Sequence, residues 1–287
     1  MPKAAYHLIH PDTRSTSVVF ASPHSGRDYP QSFQNTTLLS PLEIRSSEDA
    51  YVDKLFDIAP RFGAPFLRAG APRAFLDLNR ACDELDPAVI EDVRRAAHNP
   101  RIASGLGVIP RVVAQGRSIY RGKLPLSVAR HRIDTYWRPY HDMLQTLLDQ
   151  SQTRFGEAIL IDCHSMPTEA LDNAVTHNRK RPDIVLGDRY GAAAAPRVVD
   201  QVEQALQKAG LNVVRNMPFA GAYIAQHYGR PSRKQHVIQI EIDRALYLDE
   251  KHVEPSPDFE AFKSLLQGVI ADISLIGSTG ELPLAAE

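Results

Sequence analysis

The sequence predicts a single α/β domain built on a mixed, mostly parallel sheet with helices on both faces. Three observations point there. Short apolar runs of strand length alternate with stretches of helical period along the chain. Pro (21) and Gly (16) punctuate it into such segments, with no internal repeat and no low-complexity tract. A chain of 287 residues that is 43% hydrophobic and 23% charged is long enough for one full core, so residues 1–287 are taken as one domain.

Residues 17–22 form the first apolar run and give a strand. Val52, Leu55, Phe56 and Ala59 then share one helical face. Residues 74–78 read as the next strand. The stretch 85–124 mixes Pro, Gly, Arg and short apolar pieces without a clear period, and is read as an irregular excursion over the active site. Strands follow at 158–162 and 184–186. Val198, Val199, Val202, Ala205, Leu206 and Ala209 define a second helix, and strands at 211–214 and 236–242 precede a last helix carrying Phe259, Phe262, Leu265, Leu266, Val269 and Ile273. In open sheets of this class ligands bind beyond the carboxyl ends of the strands, so chemistry is sought there.

Composition narrows the function. Lys and Arg (33) nearly balance Asp and Glu (34), which gives no overall field for nucleic acid or an anionic membrane, and a small-molecule substrate is expected. Cys82 and Cys163 form no Cys-x-x-Cys pair, which argues against a disulfide framework or a thiolate zinc cage. No window approaches the roughly 18 apolar residues of a membrane span, and the first ten residues lack a basic start followed by an apolar stretch. A cytoplasmic enzyme is expected.

The first strand runs into Pro23-His24-Ser25-Gly26, with a glycine that lets the backbone turn beside the imidazole. Residues 158–162 run into Cys163-His164-Ser165, a second imidazole at a second strand end. Neutral imidazole is a good zinc ligand, and catalytic zinc usually takes three protein ligands. Asp49 is the best carboxylate to complete the set, placed by the helical period in the first turn of the Val52 helix. Glu48 is its alternate, and either acid also suits a helix dipole after Ser47. Asp162 shares the strand face of His164 and suits a role orienting a ligand. Asp77-Leu78-Asn79-Arg80 would end a strand on a guanidinium, the group whose fork best holds a carboxylate, although a surface pair with Asp77 or Asp83 explains Arg80 equally simply. Glu241 lies within an apolar run, where a carboxylate is costly unless paired, ligated or working, or unless Gln239 and Glu241 face solvent from an edge strand.

Together these residues resemble the N-formylglutamate amidohydrolase family, which carries Pro-His-Ser-Gly, Asp-Leu-Asn-Arg, Asp-x-His-Ser and Gln-x-Glu motifs in this order. Ile119-Tyr120-Arg121-Gly122-Lys123-Leu124-Pro125, Tyr136-Trp137-Arg138-Pro139-Tyr140-His141 and Tyr228-Gly229-Arg230-Pro231 add to the ordered series. The family is distantly similar to zinc carboxypeptidases and aspartoacylase-type deacylases, which implies a phosphorylase/hydrolase-like, zinc-carboxypeptidase-like fold. By that resemblance one zinc-like cation is held by His24, Asp49 and His164, Arg80 with Asn79 clamps the substrate carboxylate, and Glu241 is the general base. Arg117, Arg121 and Arg244 are candidates for a second carboxylate. One stretch departs from the family: Asp49-Ala50-Tyr51-Val52-Asp53 stands where members acting in histidine breakdown often carry Asp-Trp-His-Val-Asp.

The implied reaction is hydrolysis of an N-formyl or other N-acyl acidic amino acid, foremost N-formyl-L-glutamate to formate and L-glutamate. The alternatives are a zinc carboxypeptidase, a longer-chain deacylase, and a non-catalytic acidic-ligand binding protein of the same fold. A serine hydrolase using Ser25 or Ser165 has no Gly-x-Ser-x-Gly elbow to support it.

Overall fold

The computed structural model describes residues 1–94, 99–172 and 181–278. Seven strands form the main sheet: β1 Tyr6–Ile9, β2 Val18–Ser22, β3 Phe66–Ala69, β4 Ala158–Met166, β5 Ile184–Gly187, β6 Val213–Arg215 and β7 Gln235–Asp243. Their order is β1-β3-β2-β4-β7-β5-β6. The pairs β3-β2, β2-β4, β4-β7 and β5-β6 are parallel, whereas β1-β3 and β5-β7 are antiparallel, so the sheet is mixed and mostly parallel. A small hairpin, β8 Leu248–Asp249 with β9 Glu254–Pro255, stands apart. The helices are α1 Gln31–Gln34, α2 Val52–Leu55, α3 Pro100–Ala103, α4 Leu126–Arg132, α5 Arg138–Phe155, α6 Pro196–Lys208, α7 Tyr223–Tyr228 and α8 Phe259–Ile276.

The period of two along the central strands divides the core. Ile159, Ile161 and Cys163 of β4 and Ile238, Ile240 and Ile242 of β7 pack on one face with α6 and α8. Leu160 and Val237 pack on the other with α5 and α7. Each fully buried isoleucine, leucine or valine among them contributes about 1.5–3 kcal/mol. Toward the carboxyl ends the second face changes character, continuing as Asp162 and His164 on β4 and as Gln239 and Glu241 on β7. The parallel register sets Asp162 beside Gln239 and His164 beside Glu241. Sheet position settles the edge-strand question, because β7 lies between β4 and β5 and Glu241 is 8% exposed.

Several elements differ from the sequence reading. Residues 74–78 are not a strand. Asp77 accepts from the Asn79 amide at 2.8 Å, and Phe75 and Leu76 donate to the Pro72 carbonyl, so local bonds replace a ladder while Phe75, Leu76 and Leu78 still bury. The strand that fills this role is β3, earlier in the chain, and β1 covers its edge. Asp49 does not lie in a helical turn. It precedes Tyr51, which takes a left-handed conformation at φ 62°, and α2 spans only Val52–Leu55. The longest missed feature is a helical run from Leu126 to Phe155, in which α4 and α5 join through a π turn at Ile133–Trp137. Pro139 explains the widened turn, since it has no N–H for the preceding carbonyls. Gly26 is needed for a reason other than a turn: a Cβ there would sit 2.1 Å from the Ala71 carbonyl oxygen, so the chain leaving β2 lies directly against residues 70–71.

Candidate active site

His24 follows β2, His164 lies near the end of β4, and Asp49 lies between them. The His164 Nδ1 is 2.8 Å from Asp49 Oδ2 and the His24 Nδ1 is 3.4 Å from the same oxygen. One ligand atom from each of the three residues fits within a mutual spacing of 4.8 Å. All three are at least 97% buried. Asp49 is placed by its amide, which donates to the His24 carbonyl at 3.1 Å, and by Arg244, whose Nη2 donates to Asp49 Oδ1 at 3.3 Å and to the Glu48 carbonyl. Glu48 is not part of the cluster, because its carboxylate is turned away to accept from Arg45 Nε at 3.0 Å.

Each imidazole has a carboxylate behind it. His24 Nε2 donates to Asp77 Oδ1 at 2.7 Å, which fixes the tautomer and leaves a lone pair on Nδ1. That Nδ1 is buried and has no hydrogen-bond partner among the described residues. His164 Nε2 lies 3.0 Å from Asp162 Oδ2, a close ionic contact without the alignment of a hydrogen bond. Burial would raise the Asp49 carboxyl, but the hydrogen bond with His164 and the adjacent His24 imidazole prevail and hold it well below the usual carboxylate range. Burial likewise opposes charge on His164, yet Asp162 and Asp49 raise it well above an ordinary imidazole. Asp49 and Asp162 therefore favour positive charge at His164.

Above this cluster opens a cavity of about 580 Å³, lined by His24, Asp49, His164 and Glu241 and by the arginines Arg73, Arg80, Arg101 and Arg244. Gln239 Nε2 donates to Glu241 Oε1 at 2.8 Å and fixes that carboxylate. Burial pushes Glu241 up to about 7, with His164 pulling the other way. Leu106, Pro110 and residues 112–116, all within 85–124, form one wall, while 95–98 of that stretch lie outside the described residues.

The remaining sequence candidates fare differently. Arg80 is 7% exposed and lines the cavity, with Nε donating to the Leu106 carbonyl and Nη1 to that of Asn79. Asn79 is engaged at both ends: Oδ1 accepts from the Ile224 amide at 2.8 Å, and Nδ2 lies 3.3 Å from His164 Nε2. Arg244 also donates to Ser165 and Ser46, so its fork faces inward. Arg121 is exposed and absent from the cavity wall, because it sits on the outer turn before α4. Arg117 faces Glu43 at 3.4 Å. Ser25 bonds to Ser22 and Ser165 accepts from Arg244, and among the described residues neither serine bonds an imidazole that could act as its base. The sequence reading missed Arg73, whose Nε donates to Asp77 at 3.1 Å, and the spacing of four residues between them was the available signal.

The Asn79-Arg80 turn is held from behind by α5 and the π turn. Trp137 Nε1 donates to the Arg80 carbonyl and His141 Nε2 to the Leu78 carbonyl, both at 2.9 Å, while the Tyr228 hydroxyl bonds His141 Nδ1. Burial lowers His141 to about 3, with the Leu78 carbonyl opposing, so the ring is neutral at pH 7. A depressed folded pKa adds stability that is complete above about 6.5 and is lost as pH falls toward 3. His141→Gln is therefore expected to lower the denaturant midpoint at pH 7 and to narrow its difference between pH 7 and pH 5. An unchanged pH difference in that variant would remove His141 as a source of acid sensitivity.

A sequence profile of the family described as N-formylglutamate amidohydrolase matches residues 16–248. The chain is 28% identical over 268 residues to an N-formylglutamate deformylase of Pseudomonas putida, covering 88% of this chain and 92% of that one. It is 29% identical over 250 residues to an N-formylglutamate deformylase of Pseudomonas aeruginosa, covering 85% and 81%. The crystal structure of an N-formylglutamate amidohydrolase from Ralstonia eutropha JMP134 superposes with a TM-score of 0.88 at 34% identity, over 95% of this chain and 98% of that one. With the profile spanning most of the chain and the fold shared end to end, this protein belongs to the N-formylglutamate amidohydrolase family.

Proposed function

We propose that this protein hydrolyses the linear amide bond of an N-formyl acidic amino acid, foremost N-formyl-L-glutamate, releasing formate and the free amino acid with the help of one divalent cation. The observation that carries the proposal is the convergence of His24, Asp49 and His164 at the floor of a cavity that also presents Glu241 and several arginines. Family membership and the deformylase relatives support the same reaction. Among the described residues no helix is long and apolar enough to cross a membrane. We propose one catalytic domain spanning the chain, with residues 85–124 covering the site.

The donor set fits a zinc-like ion. It offers two imidazoles and one carboxylate, the His24 Nδ1 is an orphaned buried acceptor, and Asp77 and Asp162 stand behind the rings. When bound, such a cation supplies a Lewis acid that brings water toward a pKa of about 7. The chain's own groups carry the rest. Glu241, held by Gln239, takes the proton of the attacking water and delivers it to the leaving nitrogen. Arg73, kept charged against burial by Asp77, Asp49 and Glu241, lines the same cavity and offers its outer nitrogens to the oxygen on which charge develops. Arg80 presents its remaining donors to the substrate carboxylate, and Asn79 positions His164 and the start of α7.

Arg80→Lys is expected to raise KM by about tenfold or more with little change in metal content, because a point charge replaces a planar fork. An unaltered kcat/KM in that variant would remove Arg80 from substrate binding. The reaction itself is tested by a panel of formyl, acetyl and succinyl derivatives of glutamate and aspartate. Preferred turnover of a formyl derivative supports the proposal. Preference for a larger acyl group makes the chain a broader deacylase, and no turnover with retained ligand affinity makes it a binding protein.

A further inference from the structure

Of the arginines on the cavity wall, two are already neutralised: Arg73 pairs with Asp77 at 3.1 Å and Arg244 with Asp49 at 3.3 Å. The other two are not. Among the described residues neither Arg80 nor Arg101 has a carboxylate oxygen within ion-pair distance, and the Arg101 side chain makes no hydrogen bond at all. The two are physically linked through Leu106, whose carbonyl accepts from Arg80 Nε at 2.9 Å and whose amide donates to the Arg101 carbonyl at 2.8 Å. Burial lowers Arg80 below its usual range, and the charges of Arg73 and Arg101 push the same way against Asp77. Arg101 is half-buried at the start of α3, where Asn79-Arg80 is not its support: Asn99 accepts from the Arg101 amide at 2.9 Å and Pro100 fixes the first turn. Its backbone is thereby set while its guanidinium stays free.

Unpaired guanidiniums facing one cavity repel each other until an anion enters, and two of them are best satisfied by two carboxylates. We propose that Arg101 binds the second carboxylate of the substrate while Arg80 binds the first, so that Arg101 selects dicarboxylates over their amides. This rests on the hydrolase reading above for its substrate, but the dicarboxylate clamp can be read without turnover.

The test pairs binding with kinetics on the full chain. Calorimetry would compare glutarate with its monoamide, glutaramate, in the wild type, Arg101→Gln and Arg101→Lys. Glutarate affinity is expected to fall about 10–100-fold in Arg101→Gln and to recover partly in Arg101→Lys, with glutaramate affinity unchanged, since a hydrogen bond to a charged group is worth roughly that much. In parallel, kcat/KM for N-formyl-L-glutamate should fall by a similar factor while that for N-formyl-L-glutamine stays constant. Equal losses for glutarate and glutaramate, no loss for either, or no glutarate binding by the wild type would each overturn the assignment. If glutarate binding depends on Arg101 but no N-formyl amino acid is hydrolysed, the subsite stands and the deformylase reading falls.

Discussion

Glu241→Gln is expected to lower kcat by about 10²–10⁴-fold while folding and metal content are retained. The variant keeps the size of the side chain and an oxygen to accept from Gln239, but it cannot take a proton from water. The pH profile carries a second signature. Burial pushes Glu241 up to about 7, His164 and Arg73 lower it, and Asp49 and Asp162 raise it. A general base works only when ionised, so kcat/KM of the wild type should fall about tenfold per unit on the acid side of its pKa, and a bound cation moves that limb to lower pH. The limb should be absent from the residual activity of the variant. Near-normal kcat in Glu241→Gln would exclude it as the base, whereas loss of metal would make it a ligand.

His24→Ala and His164→Ala are expected to lose bound metal and at least about 10³-fold in kcat/KM, since charge stabilisation of several kcal/mol goes with the cation and each 1.4 kcal/mol is a factor of ten. Chelation of the wild type should mimic them and be reversed by adding zinc. The variants should not be rescued. Substitution of Asp77, which stands behind His24 and is not in the ligand cluster, should weaken metal binding by the smaller factor of about 10–100. Full activity after exhaustive metal removal would contradict this part of the account.

What could be read in advance follows from how far each feature depends on distant packing. The imidazoles sit immediately after or within strands whose apolar alternation is strong, so a correct strand assignment delivers both to one end of the sheet. Glu241 was equally legible as an acid in an apolar run, although only the strand order showed that β7 is central rather than an edge. Asp49 was found for an imperfect reason: it lies in an irregular segment before a left-handed Tyr51, held by Arg244 from a remote part of the chain. The arginines were least legible. Arg73 and Arg80 reach the cavity from a turn at 72–80 that Trp137 and His141 pin from a helix more than fifty residues away, and Arg101 reaches it from a separate turn capped by Asn99. That helix was itself obscured by its polar face and by Pro139. The residues 74–78 show the converse error, since buried apolar side chains with a turn-forming Asp77 imitate a strand.

The central claim is that His24, Asp49 and His164 hold one cation at the floor of the cavity. The most direct measurement is anomalous diffraction at the zinc absorption edge from crystals of the protein purified without chelator. The account predicts a single strong peak per chain, within about 2.0–2.2 Å of His24 Nδ1, His164 Nδ1 and an Asp49 oxygen, with Glu241 near it but not bound. A zinc-loaded, active protein whose peak lies elsewhere, or whose three side chains remain bonded only to one another, would contradict it.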